Sequence, residues 1–137
     1  MVNKNVLSER LEKLGEYISL LEQVQEFGFQ RFLDDPLIRG AAERNLHLAI
    51  ECLLDIGNHI IVDRDYRKPE SYADIFLILT DNKLISHDLF QQLDGMSAFR
   101  NLLVHDYLRL DPKKVFGIIA TKTPSLARLG RVFSELL

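Results

Sequence analysis

Residues 99–107, Phe-Arg-Asn-Leu-Leu-Val-His-Asp-Tyr, bring an arginine, a histidine and a tyrosine close together, with mostly apolar side chains between them. An imidazole ordinarily titrates near ~6.5, so His105 suits proton transfer from a ribose 2′-hydroxyl or to a departing 5′-oxygen at neutral pH. A guanidinium stays charged and forks onto phosphate oxygens, which suits Arg100 to a scissile phosphate and its developing charge. At about 100° per residue on a helix, Arg100 and Tyr107 come almost into line, and His105 stands roughly 140° round from Arg100. Asn101 lies one turn before His105, within reach of it. By spacing alone, the ordinary reading is that Arg100 and His105 only cap and solvate the end of an amphipathic helix, since such spacings arise often by chance.

The elements that must carry these groups all read as helices. In the first segment, Val2 to Leu33, residues Leu7, Leu11, Leu14, Ile18 and Leu21 mark one helical face, and Phe27, Phe29, Phe32 and Leu33 close it. That stripe is an ordinary core-facing one, since the heptad does not persist as a coiled coil requires. Asp34-Asp35-Pro36 is a break followed by a capped restart, and the second helix runs from there to about Val62. Its apolar arc is Leu46, Ala49, Ile50, Leu53, Ile56 and Ile60. A polar stripe of Arg44, His47, Glu51, Asp55 and Asn58 lies opposite. Three readings of the stripe stand open: a solvated face, a metal site on His47, Glu51 and Asp55, or a face turned to the Arg100/His105 cleft. Cys52, beside the arc, reads as a small packed residue.

Arg64 to Pro69 is a charged connector. Ser71 caps a third, short helix with Tyr72 near its start, and Tyr72 reads as a packing residue with base stacking as the alternative. Asp81-Asn82-Lys83 is a turn, and Ser86 caps a fourth helix with His87 on its surface. Gly95 interrupts that helix just before the motif. Met96, Phe99, Leu103 and Leu110 then anchor the motif to the core. Val104 is left among polar neighbours, an apolar residue that a second subunit would cover. Asp111-Pro112 starts the last helix, which Pro124 should kink or split. No strand pattern, repeat or Gly-rich phosphate loop appears, so the expected fold is all-α, an up-and-down bundle of about five helices forming one domain over residues 1–137.

Composition narrows the function classes. The chain has 137 residues, 47% hydrophobic and 27% charged, which is the balance of a water-soluble globular domain with a real core. A net charge of −3 argues against a broad nucleic-acid-coating surface but not against a compact site built on one or two arginines. A single cysteine excludes an internal disulfide, and no leading apolar segment is present, so a cytoplasmic setting is expected. No run approaches the ~18 apolar residues of a membrane span.

Arg100-Asn101-Leu102-Leu103-Val104-His105-Asp106-Tyr107 resembles the RNxLVHxY signature of the HepT-type toxins, a branch of the HEPN superfamily of helical ribonuclease and nucleotide-associated domains. Two further stretches, Arg39 to Asp63 and Pro69 to Leu79 (PESYADIFLIL), resemble the same family in the same order. The resemblance covers roughly residues 35–110 and does not depart from the signature at the motif positions. It implies a metal-independent endoribonuclease without a cofactor, the toxin of a toxin–antitoxin pair. Two motif copies would meet in a homodimer to form a composite cleft for RNA. In that picture Arg100 and His105 are catalytic and Asn101 supports them. Glu51, Asp55, His47 and Tyr72 are possible cleft-lining residues. The antitoxin would be a minimal nucleotidyltransferase that transfers AMP to Tyr107. A different class remains open: a non-catalytic helical module that partners a nucleotidyltransferase and binds nucleotide through Arg100.

Overall fold

Five of the seven described α-helices begin at a side-chain cap, and the other two begin at a glycine. The computed structural model describes residues 3–137; Val2, counted above in the first segment, lies outside them. Asn3 accepts from the amides of Asn5 and Val6 and starts α1, Lys4–Phe27. Leu7, Leu14, Ile18, Leu21 and Val24 form its buried stripe. The segment does not continue to Leu33 as one helix. Gly28 takes φ +86°, a region that side chains with a Cβ rarely enter, and the chain restarts as a short α2, Phe29–Asp34. The turn drives Phe32 into the core, where its ring and that of Phe29 meet Phe116 at centroid distances of 5.3 and 5.5 Å.

Asp35 accepts from the Leu37 amide at 2.9 Å with Pro36 at the first helical position, opening α3, Pro36–Asp63. The whole predicted arc of α3, Leu46 through Ile60, is buried. At the usual ~1.5–3 kcal/mol for each large apolar side chain withdrawn from water, this helix is the energetic spine of the molecule. It packs against α1, α4, α6 and α7. α4, Tyr72–Asp81, is capped by Ser71 and lies close to α3 at Gly57, where an added Cβ would sit 2.9 Å from Ile75 Cγ2 and 3.2 Å from Leu79 Cδ1.

Ser86 caps α5, His87–Gln92, leaving His87 on the surface. Gly95, at φ +82°, breaks the chain before α6, Met96–His105. A single 3-10 turn, Tyr107–Arg109, leads to α7, Pro112–Leu136, which Asp111 caps. Pro124 does not split α7. Val115 and Ile119 before it and Leu126, Leu129 and Phe133 after it are all buried, so both halves are held to the core across the lost backbone bond. The architecture is all-α: the described residues contain no strand, and five helices of ten residues or more are joined by two six-residue helices, α2 and α5.

Candidate functional site

α6 carries the motif, and its two ends are built differently. Met96, Ser97 and Phe99 bury the first turns against α3 and α4. At the other end Asp106 adopts φ −137°, ψ 40°, and its amide closes the last turn on the Leu102 carbonyl at 3.0 Å. The helix therefore stops at His105. Tyr107 belongs to the 3-10 turn, so the helical alignment of Arg100 with Tyr107 inferred from spacing does not hold. The turn leaves Tyr107 65% and Leu108 87% exposed, and His105 is exposed beside them.

Arg100 is the opposite case. Its side chain is 12% exposed and held on three sides. Nε donates to Glu51 Oε2 at 2.5 Å and Nη1 to Asn101 Oδ1 at 2.9 Å, while the guanidinium carbon stands 4.9 Å from the Tyr72 ring centroid. Nη2 has no hydrogen-bond partner among the described residues. The Glu51 carboxylate, as hydrogen-bond acceptor, holds the Arg100 pKa above its ordinary value. On the far side of Glu51, His47 Nε2 is 3.7 Å from the same carboxylate oxygen. Burial lowers the His47 pKa below its usual value, Arg100 and Arg44 push the same way, and Glu51 opposes them.

Tyr72 is positioned from outside the motif. Arg67 forks onto Asp74 at 2.6 and 2.7 Å, and the Glu70 amide donates to the same carboxylate at 2.9 Å. These bonds pull the Asp74 carboxyl down to about 2 and pin the connector at the start of α4. Tyr72 is consequently not a core packing residue: it is 43% exposed and stacks on Arg100. An open groove of about 860 Å³ runs from Asn101 and Tyr72 along α3, floored by Leu54 and Ile75 with Asn58 and Tyr66 on its sides.

The polar stripe on α3 sorts into three fates. Arg44 and Asn58 are solvated, His47 and Glu51 join the Arg100 cluster, and Asp55 turns to Arg10 of α1. No three His, Cys, Asp or Glu side chains converge as metal ligands among the described residues, because each carboxylate of the stripe is committed to an arginine. Three participants escaped the sequence reading. His59, 3.7 Å from Asp55, continues the four-residue spacing of His47, Glu51 and Asp55 and was legible in principle. Arg10 and the Arg67–Asp74 fork carry no sequence signal, because their partners are set by packing and by a loop.

Comparison with known proteins adds an independent line. The family model described as "Ribonuclease HepT-like" matches residues 14–132. The "mRNA nuclease HepT" of Shewanella oneidensis is 31% identical over 115 residues, 84% of this chain and 86% of that protein. The "tRNA nuclease HepT" of Aphanizomenon flos-aquae is 28% identical over 115 residues, 84% of this chain and 78% of that protein. A solved structure of the tri-AMPylated Shewanella oneidensis HEPN toxin in complex with MNT antitoxin superposes with a TM-score of 0.86 at 25% identity, covering 98% of this chain and 99% of that one.

Proposed function

The chain belongs to the HepT-like ribonuclease family, and on that premise we propose that it is the endoribonuclease toxin of a toxin–antitoxin pair, cutting RNA with Arg100 and His105. The observation that carries this reading is the contrast along α6: Arg100 is fixed in place while His105, one turn and a half further on, is open to solvent. That is a pre-set anion-binding group and an accessible proton carrier on one helix.

The proposed reaction is an in-line displacement. His105 takes the 2′-hydroxyl proton as general base, and the 2′-oxygen bonds to the adjacent phosphorus. The bond to the 5′-oxygen breaks as that oxygen takes a proton from the protonated His105 of the second copy, acting as general acid. The products are a 2′,3′-cyclic phosphate and a 5′-hydroxyl end, and Arg100 stabilises the charge on the phosphorane. The two side chains diverge by about 140° on one helix, so the cleft completes itself across a two-fold axis, the arginine of one copy opposite the histidine of the other. The exposed Leu108 and half-buried Val104 supply apolar surface for such an interface and leave Tyr107 at its edge, open to a second enzyme. The reading calls on no metal, because Arg100 supplies the charge stabilisation and His105 the proton transfer.

The partner proposed is a minimal nucleotidyltransferase antitoxin of the MNT kind seen with the Shewanella toxin. Tyr107 is its target. The phenol oxygen attacks the α-phosphorus of ATP, pyrophosphate leaves, and each AMP adds negative charge and bulk beside the motif. Exposure of Tyr107 on a 3-10 turn supports access by a second enzyme. Tyr107→Phe is expected to cleave RNA normally yet to resist adenylylation and silencing by the antitoxin.

The test is cleavage of RNA by purified protein, with end analysis of the products. Arg100→Ala and His105→Ala should each abolish cleavage, and mixing the two variants should restore part of it by rebuilding one composite cleft. Cleavage that persists in both variants overturns the site. No cleavage by any form, with the nucleotidyltransferase complex intact, leaves the non-catalytic nucleotide-binding module.

A further inference from the structure

Resting on the ribonuclease reading above, we propose that Glu51 is a positioning residue for Arg100, fixing the guanidinium plane so that Nη2 is the nitrogen offered to the phosphodiester. An arginine reaches its target through a long, rotamer-rich side chain, and a phosphate can engage more than one edge of the guanidinium. Three contacts from three different directions remove that freedom here. Glu51 takes Nε at 2.5 Å, Asn101 takes Nη1 at 2.9 Å, and the Tyr72 ring lies against the group at 4.9 Å. The first fixes the direction of the plane, the second its rotation and the third its face.

The sign of the charge shows what the arrangement is for. A carboxylate beside the phosphate-binding arginine repels the substrate, so Glu51 does not serve affinity. Placement remains. Displacement of a catalytic group by about 1 Å typically costs 10²-fold in rate, whereas loss of one partly exposed like charge alters binding only slightly. Glu51 stands on the central helix, 49 positions from Arg100 in the chain, and ties α3 to α6 at the arginine of the motif.

Three variants separate geometry from charge. Glu51→Ala removes the acceptor and the charge, and kcat should fall about 10- to 100-fold. Glu51→Gln keeps an acceptor at the same reach and should stay within about threefold of wild type. Both should bind a non-cleavable RNA, 2′-deoxy at the scissile position, as tightly as wild type or roughly two- to fivefold more tightly. Glu51→Ala should lower kcat no further in an Arg100→Ala background, because its effect passes through that arginine. Independently of activity, the Arg100 Nε–H should give a slowly exchanging, downfield ¹⁵N–¹H resonance that is assigned by its loss in Arg100→Lys and collapses in Glu51→Ala. Wild-type turnover in Glu51→Ala, affinity and melting temperature falling together with rate, or a mobile Nε–H in the wild type would each overturn the assignment. Absence of RNA cleavage by the wild type would fall on the ribonuclease reading alone, and the Nε–H resonance would then decide whether the clamp exists.

Discussion

Two carboxylates one turn apart on α3, Glu51 and Asp55, each hold an arginine and each have a histidine four positions away on the same helix. The sets are near mirror images in composition, and they differ in what surrounds them. Arg100 is 12% exposed, is stacked by Tyr72, and sits on the helix that ends in exposed His105. Arg10 is 35% exposed, and its pair with Asp55 ties α1 to α3; the neighbouring His59 Nδ1 is 2.9 Å from the Asp55 backbone carbonyl. Cys52 sits beside this second pair with its thiol 3.1 Å from the Arg10 carbonyl and pushed up to about 11 by burial and by Asp55. The two sides differ in what they lead to: the Glu51 side holds the arginine of the helix that ends in exposed His105, whereas the Asp55 side joins α1 to α3 with half-exposed His59 at its edge.

The largest expected effect breaks that symmetry outright. Arg100→Ala or His105→Ala should lower the RNA cleavage rate by at least about 10²-fold, whereas Arg10→Ala and Asp55→Asn should leave it within a few-fold of wild type. Equal losses on the two sides would mean that both pairs act only through the fold. Next, Asp55→Ala should cost up to about 1 kcal/mol of stability in a denaturation midpoint, the range for a partly exposed pair. Introducing it together with Arg10→Ala should add little to either single change, as for groups sharing one contact.

A smaller effect separates the sets by pH. The His47 pKa is lowered in the folded protein, so the unfolded chain takes up a proton first as the solution is acidified. Stability should therefore decline as pH falls below the ordinary ~6.5 of histidine, and His47→Gln should flatten that decline in melting curves between pH 7 and 5. The smallest effect concerns Cys52. At pH 8 its thiol should stay protonated and react with a thiol reagent only slowly, and denaturant should raise the rate sharply. Fast labelling of the native protein would show that the α1–α3 seam opens readily, and would blunt the contrast between the two pairs.

Local chemistry was legible wherever one short stretch contained both cause and effect. Asp35, Ser71, Ser86 and Asp111 cap the helices their types announce, and the arc from Leu46 to Ile60 is buried as its period requires. Departures came where a competing local event or a distant partner intervened. Gly28 cut the first segment in two, and Asp106 ended α6 before the helical period could carry Tyr107 round to Arg100. Pro124 is expected to kink or split the last helix, and it does not split it: tertiary burial on both sides outweighs one lost backbone bond. Tyr72 is expected to pack, with base stacking as the alternative, and its place over Arg100 is a contact between α4 and α6 that no local signal announces.

By itself the sequence determined the helices, the inward face of each, and the residue types brought together in the motif, because periodicity and capping act over a few positions. Only the tertiary structure decided that Arg100 meets Glu51 and Arg10 meets Asp55. Those pairs are 49 and 45 positions apart, and which side chains meet across that interval follows from the angle and rotation at which whole helices pack, a property of every core contact at once.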